Sequence, residues 1–180
     1  MASAFSHAIV SVAIGKISFI KKVDEKFWLL GMFCAVIPDA DAIGFKLGVA
    51  YENMWGHRGI THSFFFAAIL AFAITFFFYG NEKAGSRRWL SLFTFFFFAT
   101  ASHPLLDAMT TGGLGVAFFA PFNNTRYFFS FRPIKVSPIS ITSFFSEWGW
   151  RVLKSEFVWI WIPSFIFIAI SYSVKKLYSR

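Results

Sequence analysis

One cysteine, Cys34, stands among 180 residues, which excludes an internal disulfide framework and any cysteine-based zinc finger. Charge is also scarce. Asp, Glu, Lys and Arg make up 14% of the chain, against roughly 25% in a soluble domain. Acids are the rarer sign, nine against 17 Lys and Arg, for a formal charge of +8. So little polar surface excludes disorder, collagen, a coiled coil and an ordinary cytosolic enzyme. Three catalytic signatures are missing as well: the Gly-x-Ser-x-Gly elbow, His-Glu-x-x-His and the Walker loop.

Apolar residues are abundant, at 57% of the chain including 28 Phe. With that content the basic excess is read as contact with anionic lipid headgroups and as a topology signal, not as nucleic-acid binding. Crossing a bilayer takes about 20 apolar residues. Ile60 to Tyr79, Trp89 to Met109 and Phe157 to Val174 are long enough, the last with Pro163 inside it. Two shorter stretches precede them, Ala4 to Ile20 and Phe27 to Ile37, the second ending at Pro38-Asp39-Ala40-Asp41. The runs of Phe, such as Phe95 to Phe98, suit lipid-facing surfaces. The expected protein is therefore all-α: one membrane-embedded domain over residues 1–180, a bundle of about five helices, with 110–156 as an extramembrane or interfacial segment. Trp148, Trp150 and Arg151 suit an interfacial helix, since Trp prefers the headgroup level.

Lys and Arg in short loops set orientation. Alternating helices put Lys21-Lys22, Lys26, Lys83, Arg87, Arg88, Lys175, Lys176 and Arg180 on one side, which is then cytoplasmic. Arg126, Arg132, Lys135, Arg151 and Lys154 oppose that bias from the other side. Alternation also carries His7, His57, His62 and His103, with Asp39, Asp41 and Asp107, to the non-cytoplasmic helix ends. Ionisable groups at membrane depth are costly and pair, bind something or line a cavity.

Each piece has a plain alternative. His103 and Asp107, spaced i, i+4, share a helix face; both could ligate one metal, the Asp could orient the His, or the two could simply be hydrogen-bonded. Asp39 and Asp41 can converge in the turn that Pro38 favours, or be an ordinary polar turn. His57 and His62 are about 140° apart round a helix, so one must lie in a turn, for which Gly59 gives freedom. Thr61 or Ser63 could cap the next helix. Arg58 could bind an anion or snorkel to the interface. Taken together, four elements deliver His or Asp to one face, and imidazole with carboxylate is the ligand set of Zn²⁺, Mn²⁺ or Fe²⁺. A metal site of one or two ions follows, drawn from His7, Asp39, Asp41, His57, His62, His103 and Asp107. Without a candidate nucleophile, a metal-activated water is the natural attacking group.

His7, Pro38-Asp39-Ala40-Asp41, His57-Arg58-Gly59-Ile60-Thr61-His62-Ser63 and His103-Pro104-Leu105-Leu106-Asp107 together resemble the signature of the YdjM-like inner-membrane proteins. That resemblance implies a metal-dependent hydrolase in a bacterial inner membrane. The order of His and Asp is more distantly similar to the zinc-dependent phospholipase C and P1 nuclease group, although no histidine follows Asp107. The expected function is hydrolysis of a phosphoester in a lipid or lipid-linked substrate. Asp39, Asp41 or Asp107 would act as general base, and Arg58, Arg126 and Arg132 would hold the phosphate. The competing reading is a membrane protein that binds or transports metal without catalysis.

Overall fold

The computed structural model describes residues 1–18, 20 and 23–178. All elements among them are helical: α1 (Ala4–Ile17), α2 (Glu25–Val36), α3 (Ile43–Lys46), α4 (Phe64–Phe78), α5 (Arg87–Ala108), α6 (Ile141–Phe144), α7 (Glu147–Glu156) and α8 (Ile162–Tyr178). Two isolated bridges, Thr110 with Ile134 and Val116 with Tyr127, are the extended pairings recorded for the long connection after α5.

Local chemistry sets several helix starts. Ser3, Asp24, Ser63 and Ser86 each accept a backbone N–H of the following first turn, which satisfies one orphan donor apiece. The helical run that begins with α2 does not end at Pro38. The proline sits at the start of a tight 3₁₀ turn, Ile37–Ala42, where its missing N–H is not needed, and the helix runs on into α3.

Among the described residues, three helices are long and apolar enough to cross a membrane: Glu25–Lys46, Arg87–Ala108 and Glu147–Leu177. That differs from expectation in three places. The stretch Phe27 to Ile37, expected to be short, is part of the first of these spans. Ile60 to Tyr79 does not form one span, because Ile60–His62 is a separate 3₁₀ turn and α4 has 15 residues. The span expected to begin at Phe157 begins at Glu147, so the end of the 110–156 segment belongs to the last helix. Pro163 is accommodated by a wide π turn over Phe157–Trp161, in which the Ile162 N–H reaches back to the Phe157 carbonyl.

The core lies between α1, α2, α4 and α5. Phe27 and Phe95 stack at 4.1 Å, and a Cβ at Gly31 would collide with the Phe95 ring. Phe95 and Phe96 are buried, whereas Phe98 is 53% exposed. The Phe run therefore serves the core as well as the lipid face.

The helices alternate in direction as the charge pattern requires. Lys26 at the start of α2 donates to the Phe78 carbonyl at the end of α4. Lys175 near the end of α8 donates to the carbonyls of Lys16 and Ser18 at the end of α1. Lys16, Lys26 and Lys175 thus share one end of the bundle, and Arg87 opens α5 there. Lys21, Lys22 and Arg180, expected on the same side, lie outside the described residues. The histidines lie at the other end.

Candidate metal centre

Four segments bring the polar groups together: the first turn of α1, the 3₁₀ turn after α2, the loop before α4, and the last turns of α5. His62, His103 and Asp107 are fully buried, and the Asp39 side chain is 11% exposed.

The hydrogen bonds fix which ring nitrogens are free. His103 Nδ1 lies 2.7 Å from the Ala35 carbonyl, which can only accept, so Nδ1 carries the proton. His62 Nδ1 lies 3.1 Å from both Asp41 Oδ2 and Thr61 Oγ1. The Thr61 hydroxyl spends its own hydrogen on Asp41, so both neighbours accept from Nδ1. Both rings then turn Nε2 inward, and these atoms meet at 3.1 Å. An imidazole held through its outer nitrogen by a carbonyl or carboxylate is the usual support of a metal ligand.

Asp39 and Asp107 complete the group. Asp39 Oδ1 is 3.3 Å from His103 Nε2 and 3.6 Å from His62 Nε2. Asp107 Oδ2 is 3.6 Å from His62 Nε2 and 3.9 Å from His103 Nε2. Ligands about 2.1 Å from a tetrahedral ion stand roughly 3.4 Å from one another. These five separations bracket that spacing, and one oxygen or nitrogen from each of the four residues fits within 4.8 Å of the others. Both Asp39 oxygens are buried without a hydrogen-bond donor. Such a carboxylate is expensive unless a cation meets it. The donor set and its orphaned carboxylate therefore fit a divalent ion.

Charge makes the same point. Asp39, Asp41 and Asp107 are opposed by the terminal amine of Met1 and the guanidinium of Arg58, which leaves at least one negative charge in excess. His62, in the turn outside α4, records the imbalance. Burial acts to lower its pKa, but the carboxylates of Asp107, Asp39 and Asp41 around it override this and raise it to about 10.

Asp41 has a different part. Its Oδ1 is hydrogen-bonded to His57 Nδ1 at 2.6 Å, and its Oδ2 accepts the Arg58 backbone N–H and the Thr61 hydroxyl. Asp41, His57 and His62 could also be grouped as ligands. With both oxygens already occupied, Asp41 is better suited to orienting His62. His57, expected among the ligands, falls in that second group, with its Nδ1 on Asp41. His7 stacks on His103 with centroids 3.7 Å apart, and its Nε2 is 3.6 Å from Asp107 Oδ1. Neither ring nitrogen of His7 has a hydrogen-bond partner, so His7 borders the four-residue group with donors to spare.

Arg58 is fully buried. Its Nε donates to Asp107 Oδ2, Nη1 to the Gly112 carbonyl and Nη2 to Thr110 Oγ1. The guanidinium expected to hold a substrate phosphate is thus turned inward, as the counter-ion of Asp107. Two backbone features allow this. Arg58 adopts φ 62°, and Gly113 leaves space that a Cβ would take from the guanidinium. Arg126 donates to the carbonyls of His57, Tyr51 and Asn53 and so clamps the loop that carries His57. Arg132 is exposed and lies over the Phe128 ring, 4.6 Å from its centroid.

Sequence reasoning did not find Thr110, the Ala35 carbonyl or Glu156. Glu156 is buried in the last helix and accepts from the Ser3 N–H and the Ser3 and Ser6 hydroxyls. The neighbouring Ala2 N–H donates to Asp107, so the chain start is held between two carboxylates. A lone Glu between Trp-rich segments was the available signal.

The family model described as YdjM inner membrane protein matches residues 1–178. The inner membrane protein YbcI of Escherichia coli (strain K12) is 36% identical over 167 residues, which cover 92% of this chain and 94% of that protein. No solved structure matches the chain. The likeness to the zinc-dependent phospholipase C group rests on residue order alone.

Proposed function

The chain belongs to the YdjM inner membrane protein family, and from that premise we propose that it is a membrane-embedded metal-dependent hydrolase centred on Asp39, His62, His103 and Asp107. One observation carries this reading: two inward Nε2 atoms 3.1 Å apart beside a buried carboxylate that has no donor. Zn²⁺, or Mn²⁺ or Fe²⁺, would supply Lewis acidity toward a phosphoryl oxygen and make water acidic near neutral pH. Asp41 holds the His62 ring, and the Ala35 carbonyl holds that of His103. Arg58 offsets the charge of Asp107, and its burial keeps water from that side. Asp39, the less buried of the two carboxylates among the four, would take a proton from water. The site lies at the helix ends, where a lipid phosphoester is at the right depth. Arg132, exposed on the connecting segment, would meet an anionic headgroup.

The experiment is metal analysis of detergent-purified protein, followed by a screen of phospholipids and lipid phosphates with and without chelator. Phosphate or headgroup release that is lost with chelator and regained with Zn²⁺ or Mn²⁺ supports the reading. Cleavage of amides or carboxyl esters alone would leave a metal hydrolase of another class.

The burial of three of the four ligands favours a second reading, a closed site that stores or carries an ion, since structural sites are closed and catalytic ones open. Metal-replete protein that cleaves nothing and moves metal across vesicles would establish it.

A further inference from the structure

We propose that the substrate reaches the centre sideways from the bilayer, along a groove on α2 whose polar floor is Asp39, and is therefore an amphiphile with a hydrocarbon chain. The inference deepens the hydrolase reading and rests on it.

A groove of about 500 Å³ runs along the outer side of α2 and the 3₁₀ turn, lined by Met32, Phe33, Val36, Ile37, Asp39 and Ala40. Five of these six are apolar, and Asp39 is the one polar group. The residues recur at three- and four-residue spacing, and in a 3₁₀ turn side chains three apart eclipse, which brings Asp39 into line with Val36. The groove is on the surface: Phe33 is 47% exposed and Ala40 is exposed. It lies within the candidate span Glu25–Lys46, so that surface faces hydrocarbon rather than water.

Asp39 connects this groove to the centre. Among the four grouped residues it alone has a partly exposed side chain, at 11%; its two oxygens are buried without hydrogen-bond donors, and Oδ1 lies 3.3 Å from His103 Nε2, so the carboxylate stands between the groove and the centre. Approach past Asp107 is blocked by the fully buried Arg58 and Thr110. A hydrocarbon chain can pass from lipid into the groove without leaving an apolar medium, while its polar end arrives at Asp39. A small soluble anion would have to give up its water to follow the same path.

Metal accessibility tests the route without relying on turnover. Protein loaded with Zn²⁺ is placed in phospholipid vesicles. Metal loss is followed with a lipid-soluble phenanthroline or with an impermeant polyaminocarboxylate present on both faces. The phenanthroline is expected to strip metal faster. Ala40→Leu fills the groove from an exposed position and should slow that stripping about fivefold or more, and Phe33→Ala should speed it. Metal content and thermal midpoint before chelation establish that both variants are folded. Dodecyl phosphate should protect the metal in the unaltered protein, and inorganic phosphate at equal concentration should not.

Equal stripping by both chelators with no effect of Ala40→Leu would place access on the aqueous side and overturn the route. Equal protection by inorganic phosphate would overturn the amphiphile assignment. Folded protein that takes up no metal would instead overturn the hydrolase reading itself.

Discussion

His62 Nε2 and His103 Nε2 stand 3.1 Å apart, while the Nδ1 of each ring is held by an outer acceptor. Two lone pairs this close repel, and the carboxylates of Asp39 and Asp107 add negative charge beside them. A proton or a metal ion between the rings relieves that repulsion.

The arrangement separates residues that touch the ion from residues that orient them. His103→Ala removes an inward nitrogen and should abolish metal binding at about one equivalent. Asp41→Asn retains the shape and weakens only the grip on His62, so affinity should fall about 10- to 100-fold. Competition titration against a chelating dye distinguishes the two. Full metal retention by His103→Ala would remove that residue from the ligand set.

Proton and metal compete for His62, which gives a signed pH dependence. Its pKa is raised to about 10 in the metal-free fold. The stability contributed by that proton is fully present below the ordinary imidazole value, about 6.5, and is lost as pH rises through about 10. Metal binding runs the opposite way. Between about pH 7 and 9, metal uptake should release about one proton, and apparent affinity should rise about tenfold per pH unit. Calorimetry in buffers of different ionisation enthalpy measures the proton count. A count of zero would mean that His62 is already neutral without metal.

Much of the site is legible in the sequence because its pieces are local. The i, i+4 spacing of His103 and Asp107 needs only an α-helix. Alternation of apolar segments needs only the bilayer to bring His7, Asp39, His62 and His103 to one end. Their division of labour was not legible. Asp39 and Asp41 look alike in Pro-Asp-Ala-Asp, yet one lacks donors and the other is saturated by His57, Arg58 and Thr61. Hydrogen-bond saturation depends on tertiary contacts, and no local spacing encodes it. The same holds for Arg58, whose charge suggested a ligand and whose partners are Asp107, Thr110 and Gly112. In the fold, Pro38 reads as a break, but a 3₁₀ turn carries the chain past it, while Pro163, expected inside the last span, is accommodated there by a π turn.

Arg58 should matter for stability before it matters for substrate. Removing one partner from a buried ion pair leaves the other charge uncompensated, at a cost of about 3–5 kcal/mol. Arg58→Ala should lower the unfolding midpoint accordingly. Arg58→Lys should recover part of the loss, because Lys keeps the charge but cannot reproduce the three-way guanidinium contact. Denaturant unfolding of metal-free protein in mixed micelles reads this without any activity assay. If Arg58→Ala matches the parent in stability but loses affinity for lipid phosphate, the residue faces substrate after all.

The last prediction concerns sidedness. Lys16, Lys26, Arg87 and Lys175 lie at one end of the bundle, and the histidines and their aspartates at the other. Basic residues in short loops are retained in the cytoplasm, so the His–Asp end is expected on the non-cytoplasmic face. The test uses single cysteines in a Cys34→Ser background, where no native thiol competes. Arg87→Cys should resist an impermeant maleimide in intact cells and react once the membrane is opened. Asn124→Cys, on the exposed connection at the histidine end, should react in intact cells once the reagent has access to the periplasm. The charges that oppose this expectation are Arg126, Arg132, Lys135, Arg151 and Lys154; of these, Arg126 is tied to carbonyls of the 51–57 loop. The reverse labelling pattern would invert the molecule and give the centre access to the cytoplasmic leaflet, with lipids and lipid precursors on that side as the compounds to screen.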